Sequence, residues 1–128
     1  MLNKKVLEQK EKIYSYINEL WLDPSKIKNE GLLLQAFVHK SFAADFKKIL
    51  WHNERLEFLG DAVLELIITE FLFENYLNPE GELTSWRAAL VNAKMCAQVA
   101  NEIGMEEYLF LSHGESKDAG TKAREYIL

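Results

Sequence analysis

From Asn53 to Tyr76 the chain runs without a proline and with a single glycine, Gly60. With no proline to break it and only one glycine inside it, this segment is expected to form the longest helix of the protein. Asn53 is placed to cap its start, and Glu54 falls in the first turn, where a carboxylate meets the positive end of the helix dipole. The turn sequence Asn78-Pro79-Glu80-Gly81 ends it.

The charges on this helix are not scattered. At about 100° per residue, with Glu54 at zero, Glu57 falls near 300°, Asp61 near 340° and Glu65 near 20°, so four carboxylates share an arc of about 80°. Leu56, Leu59, Val63 and Ile67 fall on the opposite face, between about 140° and 220°. Further along, Ile68 and Leu72 return to the acidic meridian, so the second half is apolar nearly all round and is expected to be buried. Glu70, at about 160°, interrupts the apolar stripe and would need a polar partner there.

Stacked acids repel. Each like-charge pair at three- or four-residue spacing costs about 0.2–0.5 kcal/mol on an exposed helix, roughly 1 kcal/mol for the three pairs here. A hard divalent cation offsets that cost, because Mg²⁺ takes one or two protein carboxylates and completes its shell with water and phosphate oxygens. A solvated acidic face, neutralised by Lys or Arg from neighbouring helices, offsets it equally well. Phe58, near 40°, stands beside the acids, where a monomer would expose it. Either another segment of the chain covers it or a second subunit does. Gly60 costs about 0.5–1 kcal/mol in mid-helix relative to Ala, which suggests a close approach by another group at the same face.

The remainder also reads as helical. Residues 3–20 carry Val6, Ile13, Tyr14, Ile17 and Leu20 at helical spacing, and Asp23-Pro24-Ser25 breaks that helix. The segment from Leu32 to Val38 favours a helix by its Leu and Ala content, followed by a linking stretch around 43–48. Thr84 or Ser85 is placed to cap a helix through Arg87, Leu90 and Val91, and another runs from about Lys94 to Gly104, a residue suited to a left-handed C-terminal cap. Residues 114–120 read as an exposed loop. With no strand-like alternation and no repeat, the class is all-α, in one domain over 1–128.

The 128 residues are 48% hydrophobic and 27% charged, which suits a folded globular domain and excludes collagenous and disordered chains. No apolar run approaches the roughly 20 residues of a membrane span, and no secretory signal is apparent, so no membrane partner and a cytoplasmic address are expected. Cys96, the single cysteine, is expected in the core. Net charge is +3 over residues 1–50 and −8 over 51–128, making −5 in all. An acidic chain argues against broad electrostatic capture of nucleic acid, but not against a metal-dependent nuclease, which concentrates carboxylates where divalent ions bridge protein and phosphate. His39, His52 and His113 lack metal-ligand spacing, and Lys40, Arg87, Lys94 and Trp86 read as solvated or packing residues.

The run His52-Asn53-Glu54-Arg55-Leu56-Glu57-Phe58-Leu59-Gly60-Asp61-Ala62-Val63-Leu64 resembles the signature of the ribonuclease III catalytic domain. Leu32 to Phe42 is similar to the segment before that signature, and Gly81 to Asn92 to the segment after it. The resemblance implies an all-α endonuclease domain that dimerises and cleaves double-stranded RNA with Mg²⁺, or Mn²⁺ in its place, leaving 5′-phosphate and 3′-hydroxyl ends, as in rRNA and mRNA processing. Residue by residue, it makes Glu57 a metal ligand, Asp61 the essential catalytic aspartate and a metal ligand, Glu54 an accessory acid at the edge of the valley between subunits, and Phe58 an aromatic that enters a socket on the partner.

Gly120 to Leu128 is similar to the segment that leads into the family's second acidic pair, which the given sequence does not reach. The expectation is therefore a fold incomplete at its C-terminal end and weak or absent cleavage by this chain alone, with activity in a longer parent. Two other readings stay open: a non-catalytic RNA-binding or ribosome-associated module on the same scaffold, and an all-α nucleotide pyrophosphohydrolase, which also lines Mg²⁺ with helical carboxylates.

Overall fold

In the computed structural model, which describes residues 2–45 and 51–112, six α-helices follow one another: α1 Leu2–Glu19, α2 Glu30–Ala36, α3 Lys40–Asp45, α4 Glu54–Asn75, α5 Glu80–Leu90 and α6 Ala93–Glu102. Short 3₁₀ turns cover Pro24–Lys26 and Met105–Tyr108. No strand occurs among the described residues beyond one isolated parallel bridge between Val38 and Phe110, so the all-α class holds. The loop expected over 114–120, His113 and the segment 120–128 lie outside the described residues.

The apolar face of α1 supplies the core. Ile13, Tyr16 and Ile17 are buried together with Phe37, and Leu33, Leu34, Tyr108 and Phe110 pack against them. The Tyr16 ring stacks on Tyr108 at 4.1 Å between centroids and meets Phe37 edge-on at 6.4 Å. Lys10 and Glu30, 2.7 Å apart, join α1 to α2 at the surface. α1 ends in paired hydrogen bonds, from Leu22 N–H to the Ile17 carbonyl and from Trp21 N–H to the Asn18 carbonyl. That pattern is a Schellman cap, and it forces Trp21 to a φ of 62°, in the left-handed region usually given to glycine.

Helix starts differ in part from expectation. Asn29 caps α2 and Asn92 caps α6, accepting from Leu32 N–H at 3.2 Å and Met95 N–H at 2.9 Å. Asn53 does not cap α4: its backbone is already helical, with φ −78° and ψ −11°, which turns its side chain away from the free N–H groups. Thr84 and Ser85 do not cap α5 either. The helix begins earlier, at Glu80 after Pro79, and their hydroxyls bond back to Glu80 Oε1 and the Gly81 carbonyl. Gly104 adopts the expected left-handed conformation, φ 69°, after α6. The stretch expected to link from residue 43 instead begins inside α3.

The expected burial of α4 is corrected most. α5 packs against its C-terminal half, where Leu72 is buried, the Tyr76 ring meets Trp86 edge-on, and Arg87 Nη1 donates to Thr69 Oγ1 at 3.1 Å. Elsewhere on the helix surface, in both halves, Leu59, Val63, Leu66, Ile67 and Phe73 are exposed, because amphipathic patterning records which face can be buried and not whether an element of the same chain reaches it. Glu70 is simply exposed, so it needs no hidden partner. Cys96 is half-buried; Ala97 and Ala100 take the core positions of α6.

Candidate active site

The first turns of α4 carry the acids, and the segment joining α2 to α3 supplies the opposing wall. Asn53 N–H donates to the Val38 carbonyl at 2.8 Å, and Gln35 Nε2 donates to the His52 carbonyl at 2.9 Å. Those bonds set the start of α4 against residues 38–40. The result is a cleft of about 430 Å³ lined by His39, Lys40, Asn53, Glu54, Glu57, Phe58 and Asp61.

All four residues singled out in sequence thus border one cavity. Glu65, the fourth acid of the stripe, stands outside it. Glu54 is engaged: the Lys40 ammonium sits 3.6 Å from its Oε1, with both side chains largely exposed. Glu57 and Asp61 carry no ion pair among the described residues. The helical face therefore splits into one acid neutralised by a neighbouring lysine and two left open to the cleft. Phe58 is 83% exposed, so no described segment of the chain covers it. Among the described residues, a Cβ at Gly60 would meet nothing within 4 Å, so none of them makes the close approach expected there.

Lys40, expected to be solvated, is exposed but lines the cleft, as does His39, which caps α3 by accepting from Ser41 N–H at 3.3 Å. Their place next to the Leu32–Val38 segment was the only available signal. Arg87 is held by Thr69 and Trp86 packs on Tyr76, both consistent with structural roles. No group of three or more His, Cys, Asp or Glu side chains arranged to hold a metal ion occurs among the described residues, so a cation here would take the Glu57 and Asp61 carboxylates as a partial shell.

A family model described as ribonuclease-III-like matches residues 29–128. The chain belongs to that family. It is 42% identical over 123 residues to Ribonuclease 3 of Natranaerobius thermophilus, a match covering 95% of this chain and 49% of that protein. It is 50% identical over 94 residues to Ribonuclease 3 of Staphylococcus aureus, covering 72% of this chain and 39% of the relative. The chain therefore spans about half the length, or less, of the curated relatives it matches. The fold is similar to the nuclease domain of ribonuclease III from Campylobacter jejuni, with a TM-score of 0.71 and 37% identity over 90% of this chain and 80% of that one. That structure is described as showing flexibility in a region involved in dimer formation.

Proposed function

We propose that this chain is part of the catalytic unit of an endoribonuclease that cuts double-stranded RNA with Mg²⁺, leaves 5′-phosphate and 3′-hydroxyl ends, and acts as a homodimer. The observation that carries the reading is the meeting of Glu54, Glu57 and Asp61 in one cleft of a ribonuclease-III-like chain.

Glu57 and Asp61 lie one helical turn apart, open to the cleft and without a lysine or arginine on them among the described residues. Two such carboxylates suit Mg²⁺, which needs few protein ligands and keeps several waters. When bound, the ion supplies charge stabilisation on the phosphate and lowers the pKa of water for in-line attack at phosphorus. Asp61 accepts a hydrogen bond from the attacking water or from a substrate hydroxyl and so orients it. Glu54 stands at the rim of the cleft on Lys40. Phe58, an exposed aromatic beside the acids, suits insertion into a self-complementary contact with a second copy.

Mn²⁺ binding followed by paramagnetic line broadening tests the metal half of this reading: Glu57 and Asp61 should broaden first, and Glu57→Gln with Asp61→Asn should remove the effect. A paired assay with duplex RNA and nucleoside triphosphates tests the substrate. Hydrolysis of triphosphates with RNA untouched identifies a pyrophosphohydrolase instead, and RNA binding without Mn²⁺ uptake identifies a binding module.

A further inference from the structure

The backbone that presents Lys40 is anchored from two sides. His39 N–H donates to the Phe110 carbonyl at 3.2 Å, His39 Nδ1 lies 2.8 Å from Ser41 Oγ, and Ser112 N–H donates to that same hydroxyl at 3.2 Å. On the other side, the Val38 carbonyl holds the start of α4 through Asn53. Lys40 therefore opens α3 at a set position beside the first turn of α4, while its side chain, 63% exposed, is free to turn.

Its present partner is Glu54, at 3.6 Å. An exposed pair at that distance is weak and readily exchanged. Among the described residues Lys40 is also the only Lys or Arg lining the cleft, beside three carboxylates that repel an entering polyanion. Accepting the reading of the cleft as an RNA-cleaving site, on which this inference rests, we propose that Lys40 is its RNA-phosphate contact. It rests on Glu54 in the free protein and passes to a backbone phosphate oxygen when duplex RNA enters. A phosphate is the better destination because each neutralised phosphate releases condensed counterions, a gain that Glu54 does not provide.

The test is binding of a fluorescently labelled duplex RNA by the chain in Mg²⁺, followed by anisotropy over a series of KCl concentrations. Lys40→Gln should weaken binding roughly three- to tenfold and reduce the salt slope by about 0.9, the value of one phosphate contact. Lys40→Arg should stay within about twofold of the parent, with the slope kept, which guards against a folding defect as the cause. Glu54→Gln should leave the slope unchanged and bind at least as tightly, because it frees the lysine. An unchanged slope in Lys40→Gln overturns this proposal alone. Glu54→Gln reproducing the loss in Lys40→Gln also overturns it, because Lys40 would then act only by holding Glu54. Absence of any duplex binding by the parent chain overturns both this proposal and the reading of the cleft beneath it.

Discussion

The Asn53 backbone N–H donates to the Val38 carbonyl at 2.8 Å, and this bond, with no help from the Asn53 side chain, sets the start of α4. Asn53→Ala should therefore change unfolding free energy by less than about 0.5 kcal/mol, whereas Asn92→Ala should cost about 1 kcal/mol or more. Asn92 caps α6 through Met95 N–H and also donates to the Ala88 and Ala89 carbonyls, tying two helices together. Urea unfolding of the two variants decides it; equal losses would show that Asn53 caps in solution.

Trp21 combines a φ of 62° with 96% exposure. Its indole gains nothing from burial, and its Cβ strains a position that glycine occupies freely. Trp21→Gly should raise stability by about 1 kcal/mol, read from the same unfolding curves. A loss of stability would reveal a packing role for the indole.

The Tyr16 hydroxyl is buried without a hydrogen-bond partner among the described residues. Tyr16→Phe should be neutral or stabilising by up to about 1 kcal/mol, while Tyr16→Ala should cost about 3–5 kcal/mol through the cavity left in the core. Burial, and then the neighbouring Tyr108, hold the phenol above its ordinary value of 10.0. In the unfolded chain this group ionises first, so its contribution is intact below pH 10 and is lost as pH rises from there through the folded value. Tyr16→Phe should flatten that alkaline decline; an unaltered decline would assign it to other groups.

Asp61 stands one turn from both Glu57 and Glu65. Asp61→Asn removes two like-charge pairs and should raise the stability of the metal-free protein by about 0.4–1 kcal/mol at low salt. The same change should weaken Mn²⁺ binding by at least about 100-fold, beyond the 10–100-fold typical of second-sphere losses. Thermal unfolding with and without metal checks both halves: Mg²⁺ should stabilise the parent and leave the variant unmoved. A variant stabilised equally by Mg²⁺ would place the ion elsewhere.

Phe58 is 83% exposed and contributes little to the core of its own chain. Phe58→Ala should leave unfolding free energy within about 0.5 kcal/mol. In sedimentation equilibrium it should weaken self-association by about 30-fold or more, the scale of a central aromatic anchor worth about 2 kcal/mol. Unchanged association would remove Phe58 from the contact.

Local chemistry made much of this protein legible in advance. The uninterrupted run after Asn53, the break between helices at Asn78-Pro79, and the left-handed Gly104 each express a backbone preference that needs no distant partner, whereas Gly81, read as part of that turn, lies inside α5; the helical period alone puts Glu54, Glu57 and Asp61 on one line. The capping errors came from the same local level. Several polar residues near a helix start compete for one role, and the winner depends on backbone angles set by tertiary contacts, as Asn53 shows.

Sequence by itself determined the all-α class, the helix that bears the acids, and their common face, because these follow from propensity and a repeat of 3.6 residues. Tertiary structure alone decided that Lys40 and His39 form the other wall of the cleft, that Glu54 is paired while Glu57 and Asp61 stay open, and which apolar faces are covered. The reason is that periodicity describes one helix at a time. Lys40 and Glu54 are 14 residues apart in sequence and on different helices, and their meeting depends on the bonds from Val38 to Asn53 and from His39 to Phe110.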